Sequence, residues 1–115
     1  MIDAAAIEKI IALYAQHGWT LRRVLLSEPL RKSLLNASAS IFSDAEVTMS
    51  ELDAAWFSRS SRADCTAWEI RHLSETPFAL VEVIDDDTDA GHSEEMFRNT
   101  EMRMIEMTTK RLQAN

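Results

Sequence analysis

Residues 54–85 have the sequence AAWFSRSSRADCTAWEIRHLSETPFALVEVID, in which three strand-forming runs are separated by polar connections. The runs 66–73 and 78–85 are rich in β-branched and aromatic residues, and segment 74–77 between them has the composition of a turn. The run 54–60 pairs back onto 66–73 through a second short loop. This stretch therefore predicts an antiparallel β-meander of three strands.

The register of the meander follows from its second connection. Pairing Leu73 with Phe78 across the loop fixes every later pair, because side chains alternate between the two faces of a strand. One face is then almost wholly apolar and is predicted to be the core face; it carries Trp56, Trp68, Ile70, His72, Ala79, Val81 and Val83. The other face is mixed, and Glu69 is expected to lie directly across from Glu82 there.

The segments before the meander predict a helix, a strand and a second, short helix. The first helix spans about 4–17, with Asp3 as its N-cap and Gly18 just past its end. A strand over 19–26 and a short helix over 28–35 follow.

Segment 37–53 has a weaker pattern. It is compatible with a loop that contains one short strand over 46–49, or with a helix capped by Ser43, and we favour the strand. The chain then predicts a long C-terminal helix over 93–112, with an apolar stripe that includes Phe97 and Met104. Glu101 falls inside this stripe, which is unexpected for a core-facing position.

The predicted fold class is α+β. One domain spans residues 1–115, with an antiparallel meander sheet of about four to five strands, an N-terminal helix, a long C-terminal helix and a short helix after the first strand. Both long helices are expected on one face of the sheet. The strand over 78–85 is apolar on both faces, so the mixed face is expected to be covered by the short helix or by a second subunit.

Composition excludes several classes of partner. The net charge of −7 argues against nucleic acid, because phosphate binding needs clustered Lys and Arg side chains. Apolar runs stay below the roughly 18 residues that a transmembrane helix needs, so we expect no membrane association. The single cysteine, Cys65, excludes an internal disulfide framework and fits a cytoplasmic location.

The acidic run after the meander resembles the start of a calcium loop. Asp85, Asp87 and Asp89 have the alternating spacing of oxygen ligands. The sixth position of such a loop should be glycine but is Ala90, and the twelfth should be glutamate but is Met96. These three aspartates are therefore weak metal candidates, and we expect neither a metal nor another cofactor.

The predicted carboxylate pair on the mixed face supports two interpretations. Two carboxylates this close shift each other's pKa, which is how general acid and base roles are separated, and Glu69, Glu82 and Arg71 are therefore weak catalytic candidates. The more economical interpretation is a cross-strand salt network. A third use is an interface, because aromatic residues and arginine are enriched at interface centres; its candidates are Phe57, Arg59, Arg71, Phe78, Leu80 and Glu82.

The sequence favours a protein–protein interaction module over an enzyme. We expect a homodimer that acts as an adaptor or small chaperone with an unknown protein partner, because one strand is apolar on both faces and the last helix is rich in methionine. The alternative is a small ligand-binding or metal-binding enzyme that uses Glu69 and Glu82.

Overall fold

The computed structural model describes residues 2–42 and 45–113. Ser43, the cap of the alternative helix, lies outside this range. The elements in chain order are α1 (Ala4–Gln16), β1 (Thr20–Leu26), α2 (Glu28–Ser33), α3 (Ser38–Ile41), β2 (Glu46–Met49), β3 (Ala54–Ser60), β4 (Cys65–His72), β5 (Ala79–Asp85) and α4 (Ala90–Gln113).

The α+β class is confirmed, and the five strands form one mixed sheet in the order β2-β1-β3-β4-β5. β3, β4 and β5 are the predicted antiparallel meander, and β1 is antiparallel to β3. β2, however, is parallel to β1, so the prediction of a purely antiparallel sheet is wrong. The two short helices between β1 and β2 return the chain to the end of the sheet at which β1 begins, as a parallel connection requires.

α1 and α4 lie on opposite faces of the sheet, which makes a three-layer structure. Ile7 of α1 packs with Val24 and Phe57, whereas Phe97 of α4 packs with Trp56. Phe57 and Trp56 are neighbours on β3, so their side chains point to opposite faces. The prediction that both helices cover one face is therefore wrong, and β3 is buried on both sides.

The ends of α1 have the predicted chemistry. The Asp3 carboxylate accepts a hydrogen bond from the Ala6 N–H at 2.8 Å, which satisfies one of the unpaired donors of the first turn. Gly18 has a φ of +83°, a conformation that favours glycine, and it turns the chain from the helix into β1.

The predicted register is correct between β3 and β4 and wrong by one residue between β4 and β5. Trp56 pairs with Ile70 as expected. Across the second hairpin, Ile70 pairs with Leu80 and Trp68 pairs with Glu82.

The shift lies at the end of β4. Leu73 continues the β3–β4 register, because its N–H donates to the Asp53 carbonyl oxygen at 2.8 Å, and its side chain is buried in the core beneath α1. The hairpin closes instead at His72, whose N–H donates to the Phe78 carbonyl oxygen at 2.8 Å, so Leu73 belongs to the connection and not to the β4–β5 pairing. The connection is one residue longer than predicted, so each side chain of β5 moves to the other face.

The unexpected glutamate in the stripe of α4 has a partner. The Trp56 Nε1–H donates to the Glu101 carboxylate at 2.8 Å, beside the fully buried Met104. A buried indole N–H needs an acceptor, which explains an acidic residue at this position. Met102 and Met107, which take no part in this packing, remain exposed on α4.

Candidate functional site

The register shift separates the two carboxylates that the sequence pairs. Glu69 lies opposite Val81 on the face covered by α1, and Glu82 lies opposite Trp68 on the face covered by α4. A shared general acid–base site at these two positions is therefore excluded. The prediction of a cross-strand carboxylate pair is wrong because it depends on the hairpin register, which is wrong by one residue.

Glu69 instead forms a contact with the only tyrosine of the chain. The Tyr14 hydroxyl donates a hydrogen bond to the Glu69 carboxylate, and the Tyr14 ring stacks on Phe57 with a centroid separation of 4.0 Å. Burial, followed by the hydrogen bond to Glu69 and the charge of its carboxylate, raises the pKa of the Tyr14 hydroxyl well above its ordinary value. This contact ties α1 to the centre of the sheet.

The Tyr14–Glu69 contact predicts a pH dependence of stability. An unfolded tyrosine ionises near pH ~10, whereas folded Tyr14 stays neutral at that pH, so wild-type stability falls as the pH rises above ~10. A Tyr14→Phe variant lacks this loss, and at neutral pH it is less stable by on the order of 1 kcal/mol, because the hydroxyl is only half-buried.

Urea unfolding of both proteins between neutral and alkaline pH measures the difference. Since Tyr14 is the only tyrosine, its ultraviolet absorbance gives the folded-state pKa directly. The buried contact would be contradicted if the free energy of unfolding changed with pH in the same way for both proteins. It would also be contradicted if Tyr14 in the folded protein ionised at the pH of an ordinary tyrosine.

Three of the predicted interface residues, Phe57, Arg59 and Arg71, lie on the mixed face, and each contacts other parts of the chain, although Arg59 remains exposed. Phe57 is fully buried beneath Tyr14. The Arg59 guanidinium lies 4.7 Å from the ring centroid of Trp19 and donates to the backbone carbonyl of His17 at 2.9 Å, while Arg71 donates to the carbonyl of His72.

The other three predicted interface residues lie on the opposite face. Phe78 and Leu80 pack against the core beneath α4, so their assignment to the mixed face is wrong. Glu82 is partly exposed beside α4, where its carboxylate forms an ion pair with Arg103 at 3.4 Å.

Two acidic side chains, one at the end of β5 and one just after it, accept hydrogen bonds from side chains at the start of β4. The Cys65 thiol donates to Asp85 at 3.2 Å, and the Thr66 hydroxyl donates to Asp86 at 2.8 Å. The hydrogen bond to Asp85, with the neighbouring negative charge, raises the pKa of the Cys65 thiol. A raised thiol pKa is the reverse of what a nucleophilic cysteine needs.

Asp89 caps the last helix. Its carboxylate accepts the backbone N–H of His92 at 2.9 Å and contacts the His92 ring at 2.7 Å, as a residue just before a helix does. The hydrogen bond from the His92 backbone N–H, followed by the contact with the His92 ring, lowers the pKa of Asp89, and the same ring contact raises the pKa of His92. Within residues 2–42 and 45–113, no group of three or more His, Cys, Asp or Glu side chains is arranged to hold a metal ion.

A cavity of about 520 Å³ lies between the β4–β5 connection and the second half of α4. It places Ser74 beside His72, a proximity that the sequence does not predict, with Oγ and Nδ1 2.9 Å apart. The Ser74 hydroxyl also donates to the Thr76 carbonyl oxygen at 3.0 Å, so both contacts of Ser74 hold the β4–β5 connection in place.

β5 is the last strand of the sheet, and one of its faces is open. Val81 and Val83 are 55% and 50% exposed on the side of α1, whose core draws its strand residues from β1 and β3. The sequence assigns both valines to the core, because it places β5 one residue out of register. Their exposure is the consequence of the shift at Leu73.

The backbone of β5 is also open. The Phe78 carbonyl oxygen accepts from the His72 N–H, and the Asp86 N–H donates to the Asp64 carbonyl oxygen. These two bonds flank β5 and show that its even-numbered residues hydrogen-bond to β4. Because this pattern alternates, the N–H and C=O groups of Ala79, Val81, Val83 and Asp85 point away from the sheet. We call these backbone groups, together with the side chains of Val81 and Val83, the β5 edge surface.

Comparison with protein-family models, with curated proteins and with solved structures found no match. None of the helices in the described part of the chain is long and apolar enough to cross a membrane. The function is therefore inferred from the geometry of the β5 edge surface.

Proposed function

We propose that this protein is a non-catalytic interaction module that acts as a homodimer through the β5 edge surface. The observation that supports the proposal is a seven-residue edge strand with outward-pointing backbone groups and two half-exposed valines. An open edge of this kind is a template for another strand, and monomeric proteins usually protect such edges. Strand addition supplies main-chain hydrogen bonds, and the exposed side chains supply specificity.

A closed dimer of two β5 edges fits this structure better than an open filament of many copies. The opposite edge of the sheet, β2, has only four residues, and short edge strands resist pairing. Pairing β5 with β2 of another copy would generate an open chain of subunits, whereas pairing β5 with β5 closes after two. The dimer is therefore the self-limiting assembly.

The exposed methionines of α4 support an adaptor or chaperone-like role for the dimer. Met102 and Met107 are 53% and 42% exposed, and methionine adapts to differently shaped apolar partners. In the dimer, α4 of each copy is accessible to a protein partner. The enzyme alternative loses its basis, since Glu69 and Glu82 lie on opposite faces.

A lysine at the open edge tests the proposal. Val83→Lys is expected to convert a dimer into a monomer, because a charged side chain at an edge disfavours strand addition. Val47→Lys on β2 is the matched control: Val47 is also an exposed edge valine, at 46%, and this variant should stay dimeric. Sedimentation velocity over a concentration series, with thermal melts to confirm folding, measures both.

Two results would contradict the proposal. The first is a wild-type sedimentation coefficient that stays at the monomer value through ~10-fold concentration steps up to several hundred micromolar. This result would show that the protein does not form a homodimer. A wild-type dimer that Val83→Lys leaves intact uses a different surface.

A further inference from the structure

We infer that the two copies pair antiparallel along β5 with the two-fold axis at Glu82, so that Glu82 faces Glu82 of the second copy. This inference rests on the proposed dimer and specifies its register. It follows from the symmetry of the edge, the side chains that each register brings together and the charge beside Glu82.

Symmetry restricts the registers to a few. An antiparallel pair related by a two-fold axis keeps each side chain on its own face, so facing residues differ by an even number of positions. One residue then always lies on the axis, opposite itself. The registers that keep most of β5 paired place Val81, Glu82 or Val83 on the axis.

The register centred on Glu82 pairs β5 along its full length, Ala79 to Asp85. On the α1 side, Val81 lies opposite Val83 of the second copy, and Val83 opposite Val81, so four exposed valines cover one another. On the α4 side, Leu80 lies opposite Ile84. Both apolar side chains that already contact the α4 core thereby meet apolar partners.

The two neighbouring registers bring unlike groups together. With Val81 on the axis, Glu82 faces Leu80, and Pro77, which has no N–H to donate, faces Asp85. With Val83 on the axis, Val81 faces Asp85 and Glu82 faces Ile84. Each places the Glu82 carboxylate against an aliphatic side chain in the middle of the strand. The Glu82 register avoids this, and its one carboxylate opposite an apolar residue is Asp85, which faces the small Ala79 at the end of the strand.

The charge at the axis is balanced by α4. Two glutamates that face each other repel, but Arg103 lies 3.4 Å from Glu82 in each copy, which makes a neutral group of two glutamates and two arginines. The Arg103 side chain is 59% exposed, so it is free to reach either carboxylate. A network of this kind favours one register over its neighbours.

Cysteine cross-linking measures the register. In a Cys65→Ser background, Glu82→Cys should form a disulfide-linked dimer under mild oxidation, because opposed residues between hydrogen-bonded pairs have Cα atoms about 4.5 Å apart. Val81→Cys and Val83→Cys in the same background are the controls. Neither faces itself in the Glu82 register, so each alone should cross-link at least ~10-fold more slowly on a non-reducing gel.

A mixture of the Val81→Cys and Val83→Cys proteins gives a second measurement that leaves Glu82 and Arg103 intact. These two positions face each other in the Glu82 register, so the mixture should yield the cross-linked heterodimer. A mass tag fused to one of the two proteins gives the heterodimer a mass different from that of either homodimer.

The outcomes separate the register from the dimer itself. Rapid cross-linking of Val81→Cys alone, or of Val83→Cys alone, would overturn the Glu82 register and leave the β5 dimer standing. A wild-type protein that sediments as a dimer while no variant or mixture cross-links would overturn both the register and the β5 edge surface. A monomeric wild type would overturn the dimer.

Discussion

Replacing Trp56 with alanine is expected to lower the free energy of unfolding by about 3–5 kcal/mol, the usual cost of removing a large aromatic side chain from a core. Trp56 is fully buried, and its ring centroid lies 5.0 Å from that of Phe97 and 6.3 Å from that of Trp68. The change also removes the donor to Glu101, which leaves a partly buried carboxylate without this hydrogen bond. Urea unfolding followed by circular dichroism measures the loss.

Met102→Ala on the exposed side of α4 is the matched control and should change stability by no more than about 0.5 kcal/mol. If Trp56→Ala does not fold, Trp56→Phe retains most of the ring volume and gives a smaller, measurable loss. A loss below about 1 kcal/mol for the alanine variant would mean that α4 does not cover this face of the sheet.

Phe57→Ala is expected to cost a similar amount, about 3–5 kcal/mol, on the other face of the same strand. Phe57 is fully buried against the Tyr14 ring, so the change removes the stacked pair together with the apolar area beneath α1. Because β3 is shared by both cores, we expect one cooperative transition for the variant, shifted to lower urea, and not the separate loss of α1.

Leu13→Ala is the control for Phe57→Ala. Leu13 lies next to Tyr14 on α1 but is 54% exposed, so its truncation should leave the urea midpoint nearly unchanged. Two separate transitions for Phe57→Ala, one for helix and one for sheet signals, would show that the α1 layer is not part of the same cooperative unit.

The strands of this fold could be predicted well from local pattern. β3 begins and ends at the predicted residues, because its apolar run is bounded by polar segments. β2 also has the predicted bounds, although its pattern is weaker and is also compatible with a helix. The direction of β2 could not be predicted from such runs. It depends on how α2 and α3 route the chain, which is set by tertiary packing.

The one-residue error in the hairpin shows where local pattern stops being sufficient. Leu73 is an apolar residue of the kind that strands favour, and it continues the pairing with β3 through Asp53, but it lies outside the pairing of β4 with β5. That one position decides whether Val81 is core or surface. The candidate edge surface was therefore inaccessible to sequence reasoning, although the strand that forms it was predicted.

The placement of the two long helices on opposite faces has a signal in the sequence of β1. Val24, Leu25 and Leu26 are consecutive apolar residues and all are buried, as in a strand covered on both faces. Glu101 within the apolar stripe of α4 likewise signalled a buried donor opposite. Its partner, the indole of Trp56, could be identified only with the sheet in place.

The position of α4 after all five strands has a consequence for biosynthesis. The ribosome makes all five strands before it makes the helix that covers the Trp56 side of the sheet. Until α4 has been synthesised, that broad aromatic surface faces solvent in the nascent chain, where it is open to contacts with other chains. Because α4 supplies Phe97 and Met104 to the core on that side, this core is complete only after α4 has been synthesised.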